Sequence, residues 1–162
     1  NSSFIDVGTG AGFPSIPLLI VRPVLKCTML EALYKRCVFL EKACELVGIK
    51  ATVVHGRAED YAKEKREYFD FATARAVAAM PVLSEYCMPY VKVGGRFIAL
   101  KSVNEETDQS ENAVKTLGGK VAEVKDYTIT NGDNRRLFII NKISHTPTKY
   151  PRNPSIIKKK PL

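Results

Sequence analysis

The chain has 162 residues, 45% hydrophobic and 26% charged, which suits one folded α/β domain and leaves no room for a second full one. No apolar run approaches the ~18 residues that a membrane span needs, and the start shows no basic segment followed by an apolar stretch, so a cytoplasmic protein is expected. The net charge of +8 and the pI near 9.4 favour a polyanionic partner such as nucleic acid, because each Lys or Arg on a phosphate releases counterions.

Cys27, Cys37, Cys44 and Cys87 form no C-x-x-C pair, and His55 and His145 lie apart from them. No metal site is therefore expected, and the thiols read as buried and reduced.

Apolar, β-rich runs alternate with helical patterns, which predicts a mostly parallel sheet with helices on both faces. Phe4 to Val7 is the first strand. A glycine-rich loop follows, and a short helix opens near Ser15 with prolines in its first turn. Lys26 to Glu31 is a second strand. Leu33, Cys37, Leu40, Cys44 and Val47 recur at alternating steps of four and three, one face of an amphipathic helix closed by Gly48. Lys50 to Gly56 and Phe69 to Arg75 are the next strands. Pro81 to Met88 is helical, beginning with a proline and ending before Pro89.

Arg96 to Lys101 is a fifth strand, led in by a Gly94-Gly95 turn. Asn104 to Leu117 reads as a solvated helix ended by Gly118-Gly119. Two further strands, Lys120 to Thr130 and Arg135 to Lys142, flank the turn Asn131-Gly132-Asp133-Asn134. With no helix between them, they must pair antiparallel at the sheet edge. The domain is expected over residues 1–143. From Ser144 onward prolines and lysines break the periodicity, and residues 144–162 read as a basic, extended arm.

Strand, Gly8-x-Gly10-x-Gly12, helix is an arrangement that brings backbone N–H groups close to a ligand. The spacing is not the G-x-G-x-x-G of pyrophosphate binders, and Phe13 stands where that motif has its third glycine. A ligand without a pyrophosphate follows. Glu31 ends the second strand 23 residues after Gly8, where an acid can accept hydrogen bonds from both ribose hydroxyls. The turn His55-Gly56-Arg57-Ala58-Glu59-Asp60 borders the adenine in such a sheet, and its acids also suit a helix N-terminus. Phe13, Glu31 and the terminal hairpin together point to S-adenosylmethionine. The expected fold is α/β: a Rossmann-like class I methyltransferase with a seven-stranded, mostly parallel sheet and a terminal antiparallel hairpin.

Arg75 ends the fourth strand, where open α/β sheets place functional residues, and is a candidate for orienting substrate or holding the methionine carboxylate. Lys101 ends the fifth and is a candidate for guanine O6 or an RNA phosphate. Arg135 and Arg136, starting the last strand, are RNA-contact candidates. So are Lys149, Arg152, Lys158, Lys159 and Lys160, with Tyr150 interleaved. Neither histidine carries an acid–base motif, and His55 reads as structural. On the residues alone, a nucleotide-dependent oxidoreductase and a non-catalytic RNA-binding module with the same sheet remain open.

The assembled pattern resembles the bacterial small-subunit ribosomal RNA methyltransferase G family, formerly glucose-inhibited division protein B. The matching stretches are DVGTGAGFPSIPL from Asp6, LEALYKRCVFLE from Leu30, VHGRAED from Val54, TARAVA from Thr73, VGGRFIALK from Val93 and KYPRNPSIIKKKPL from Lys149. They span essentially the whole chain. Where the family often shows aspartate, this sequence has Glu31. The resemblance implies methyl transfer from S-adenosylmethionine to N7 of a guanine in 16S ribosomal RNA, with the RNA or the small subunit as partner; a monomer is expected. It implies cofactor contacts at Gly8, Phe13, Ala58, Glu59 and Arg75, beside Gly10 and Glu31 from the loop argument. It also implies a helical segment ahead of the glycine loop, so further chain upstream is expected.

Overall fold

The structure, a computed structural model, describes residues 2–75, 78–103 and 108–162. The first half alternates strand and helix: β1 (Ser3–Val7), α1 (Ser15–Val21), β2 (Lys26–Glu31), α2 (Tyr34–Leu46), β3 (Thr52–His55) and α3 (Ala58–Glu64). The second half adds β4 (Phe69–Arg75), α4 (Met80–Cys87), β5 (Val91–Ser102), α5 (Asp108–Thr116), β6 (Gly119–Thr128), β7 (Asn134–Lys142) and α6 (Pro154–Lys159). The start of the helix expected from Asn104 lies outside the described residues.

All seven strands share one sheet in the order β3-β2-β1-β4-β5-β7-β6. Pairing is parallel from β3 through β5, and β7 inserts antiparallel between β5 and the edge strand β6. The chain crosses from β1 outward to β3 and then back to β4, so the order reverses beside β1. Such a switch point opens a crevice at the carboxyl ends of the strands. The antiparallel β7 brings its own start, not its end, to that crevice.

Each face of the sheet buries its own cluster. Phe4, Cys27 and Met29 pack with Leu19 of α1 and with Leu40 and Cys44 of α2. On the other face Ile5, Val7, Phe97 and Phe138 pack with Ala62 of α3, Leu83 of α4 and Val114 of α5. Each fully buried Leu or Phe contributes about 1.5–3 kcal/mol. On α2 the buried stripe is Cys37, Leu40 and Cys44, while Leu33 and Val47 at its two ends stay about half exposed.

Two expectations need correction. Gly94-Gly95 is not a turn leading into β5 but lies within it. Val91 pairs with Phe69 and Arg96 with Phe71, so the intervening residues bulge out. Gly95 is required there by close approach, since a Cβ would sit 2.4 Å from the Asp70 carbonyl oxygen.

Residues 144–162 are not an extended arm. Tyr150 and Ile157 are buried in the core beside α4. Arg66 donates to the carbonyls of Thr146 at 2.6 Å, Pro147 at 3.0 Å and Tyr150 at 2.8 Å. Isolated apolar anchors and polar contacts to remote residues hold a segment that lacks any periodicity of its own.

Candidate functional site

The carboxyl ends of β1, β2, β4 and β5 open on a cleft of about 1550 Å³. Its floor is the glycine loop. The N–H groups of Gly8 and Thr9 both donate to the Leu30 carbonyl, at 2.9 and 3.3 Å, which pins the loop to β2. Gly8, Gly10 and Gly12 have φ of 69°, 61° and 87°, the left-handed region that only glycine adopts without strain. At Gly12 a Cβ would also lie 2.4 Å from the end of the Ile16 side chain.

Glu31 is buried at the end of β2 and lines the cleft. Its carboxylate accepts from Gly10 N–H at 3.0 Å and from Leu33 N–H at 3.0 Å, with the Arg36 guanidinium 3.7 Å away. The acid thus ties the loop to the start of α2 while facing the ligand side.

Beneath the loop sits an acid that the sequence reading did not single out. Asp6 is fully buried and accepts from the Thr9 hydroxyl at 2.7 Å and the Ser15 hydroxyl at 2.6 Å, both on Oδ2. Oδ1 is buried and accepts from no group of the described protein. Burial pushes the carboxyl up to about 6, although the two hydroxyls and Arg75 pull the other way. A polar residue at an otherwise apolar strand end was the available signal.

Phe13 is 46% exposed, and the Arg75 guanidinium lies over its ring, 5.4 Å from the centroid. Both line the cleft. Lys101 also lines it, but is only 7% exposed, its Nζ hydrogen-bonded to the Ala78 carbonyl. A buried, anchored ammonium suits orientation of a group inside the cleft better than contact with an external phosphate. Ala58 and Glu59 line the cleft from the start of α3, and the Tyr90 hydroxyl fixes that turn by donating to Ala58 O at 2.5 Å. His55 stands outside the cleft lining, its Nε2 3.1 Å from Ala32 O.

The basic candidates divide. Arg135 and Lys158 line the cleft. Arg136 instead pairs with Asp126 across the hairpin, at 2.7 and 2.8 Å. Lys149 lies over the Tyr150 ring, and Lys159 and Lys160 are exposed outside the cleft lining. Arg152, expected to reach RNA, is turned inward onto the buried Glu85 of α4. The pairing has a simple cause: a fully desolvated carboxylate requires a cation, and Arg152 supplies it.

The four thiols are buried, and burial pushes Cys27 up to about 12 and raises Cys87, so neither offers a nucleophile at neutral pH. No cluster of three potential metal ligands exists among the described residues. No helix among them is long and apolar enough to cross a membrane.

The family model of rRNA small subunit methyltransferase G matches residues 1–137. The chain belongs to this family. A ribosomal RNA small subunit methyltransferase G of Alkaliphilus metalliredigens is 50% identical over 168 residues, covering all of this chain and 70% of its relative. One from Clostridium beijerinckii is 50% identical over 167 residues, covering 99% and 70%. Among solved structures, a 16S rRNA (adenine(1408)-N(1))-methyltransferase variant from Catenulisporales acidiphilia superposes with a TM-score of 0.73 at 14% identity, covering 94% of this chain and 88% of that one. The antibiotic-resistance methyltransferase Kmr does so at 0.69 and 18%, covering 88% and 87%. These two show the fold, a Rossmann-like methyltransferase sheet with a terminal hairpin. Family membership makes the chain an enzyme, a methyltransferase of small-subunit ribosomal RNA.

Proposed function

We propose that this chain transfers a methyl group from S-adenosylmethionine to N7 of one guanine in the decoding-centre loop of 16S ribosomal RNA, acting as a cytoplasmic monomer. The observation that carries the reading is the shared cleft: the Glu31-bound glycine loop on one side, and Arg75, Lys101 and Arg135 on the other. The guanine and its N7 come from the resemblance of the motifs.

The residues fit the cofactor. Glu31 is an ionisable acceptor on the ligand side of β2, suited to a ribose diol. Asp6, buried beneath the glycine loop and outside the cleft lining, supports that loop through Thr9 and Ser15. Phe13 and Ala58 offer apolar surface to a base or thioether, and Arg75 a guanidinium to a carboxylate. When bound, S-adenosylmethionine supplies an electrophilic methyl on a sulfonium.

What remains for the protein is positioning. The N7 lone pair is unprotonated at neutral pH, so no group has to remove a proton from it, and no histidine lines the cleft. Lys101 holds the guanine edge, whose O6 accepts from Lys or Arg. Fixing nucleophile, methyl and sulfur in line supplies up to ~7–11 kcal/mol of the barrier. The test is incubation with labelled cofactor and small subunits lacking the mark, followed by mapping of the modified base. Label on a guanine N7 is expected; label on another atom, or binding of NADH in place of S-adenosylmethionine, overturns the reading.

A further inference from the structure

The C-terminal segment is fastened at one point with unusual care. Glu85 of α4 is fully buried, and Arg152 gives it four hydrogen bonds. Its backbone N–H reaches Oε1 at 2.8 Å, Nε reaches Oε1 at 2.9 Å and Oε2 at 3.2 Å, and Nη2 reaches Oε2 at 2.6 Å. The next residue, Asn153, caps α6 by accepting from Ser155 N–H at 3.0 Å. Ile157 of α6 is fully buried, and its neighbour Lys158 lines the cleft. On α4 itself Val82 and Tyr86 line that same cleft, so Glu85 couples a cleft-forming helix to the segment that carries Lys158.

We propose that the Glu85–Arg152 pair is a positioning device that sets α6 so that Lys158 stands at the cleft wall and binds a phosphate of the substrate RNA. The inference rests on the methyltransferase reading above. Stability alone accounts poorly for such a pair, because apolar residues of similar volume are often as stabilising as a buried ion pair. A placement role accounts for it better. A lysine on a loose arm loses ordering entropy when it meets a phosphate, whereas one fixed beforehand loses little. Arg152 is then a positioning residue that acts through Lys158.

The test uses the full chain, small subunits lacking the mark, and measurement of the KM for the subunit, its salt dependence and cofactor affinity, all well below the unfolding temperature. Lys158 is exposed, so Lys158→Ala folds normally. It raises the subunit KM about fivefold and lowers the log–log salt slope by about 0.7–0.9, with cofactor affinity unchanged. Arg152→Ala gives the same KM shift, the double variant shifts it no further, and Arg152→Lys restores part of it. The proposal is overturned if the two shifts add, if Arg152→Ala lowers stability but leaves the subunit KM alone, or if Lys158→Ala keeps the wild-type KM and salt slope. Failure of the wild-type chain to methylate any subunit overturns the substrate reading instead, and this inference with it.

Discussion

The Arg75 guanidinium rests on the Phe13 ring, 5.4 Å from its centroid, so the end of β4 and the turn after the glycine loop meet face to face across the cleft. A cation over an aromatic face is held there by about 0.5–1 kcal/mol at an exposed site. That contact fixes a donor fork where a substrate or cofactor anion would arrive. Arg75→Leu keeps the apolar contact and removes the charge. We expect kcat/KM on small subunits to fall about a hundredfold with little change in melting temperature. Wild-type kinetics for this variant would remove Arg75 from the site.

Glu31→Ala deprives the Gly10 and Leu33 N–H groups of their acceptor and the cleft of its carboxylate. Hydrogen bonds to a charged group are worth about 1.5–3 kcal/mol, so cofactor affinity should drop at least about tenfold in calorimetry. Glu31→Gln, which keeps one oxygen, should lose less. Equal affinity across the three proteins would contradict the placement of the ribose at β2.

Gly12→Ala forces a side chain into the left-handed region and against Ile16 and Leu40. The two costs sum to about 2–5 kcal/mol. Denaturant titration should show the midpoint falling with an unchanged slope.

Asp6 gives stability a pH dependence of definite sign. Its folded value of about 6 stands above the ordinary 3.8, with burial as the largest cause. The folded state therefore binds more protons than the unfolded one between about pH 4 and 6, and stability falls as pH rises through that window. Above it, the ionised buried carboxylate costs roughly 3 kcal/mol. Asp6→Asn escapes this, so the melting temperature of the variant relative to wild type should climb from pH 4 to pH 7. A difference that stays flat with pH would refute the assignment.

Lys142 is fully buried, with its ammonium on Met88 O at 2.9 Å, Thr146 Oγ1 at 2.5 Å and Glu67 Oε1 at 3.2 Å. Lys142→Met leaves Glu67 without that partner and should cost about 3 kcal/mol by thermal unfolding. Adding Glu67→Gln should return part of the loss.

Much of this molecule is written locally. β2 and β4 run from Lys26 to Glu31 and from Phe69 to Arg75, the bounds that their apolar-rich runs suggest, because buried parallel strands declare themselves by composition. The hairpin was legible from its turn residues. The C-terminal segment was not, since what orders it lies far away in sequence: Glu85 is 67 residues from Arg152, and Arg66 is 84 from Tyr150. No window of sequence shows that a glutamate in a helix will be desolvated. The same limit left Arg152 looking like a surface cation, whereas Asp6, whose hydroxyl partners Thr9 and Ser15 are three and nine residues away, carried a local signal. The Gly94-Gly95 pair reads as a turn because glycines usually mark one; only the partner strand, approaching at Asp70, gives it another purpose.

Glu31 also implies an arithmetic of lone pairs. A carboxylate presents about four acceptor positions, two on each oxygen. Gly10 takes one on Oε2 and Leu33 one on Oε1. Beyond these two backbone amides each oxygen retains one place, with the Arg36 guanidinium 3.7 Å from Oε2. On the proposed reading, those places would make a two-pronged socket for the neighbouring hydroxyls of a ribose, half-filled by any ligand that offers only one.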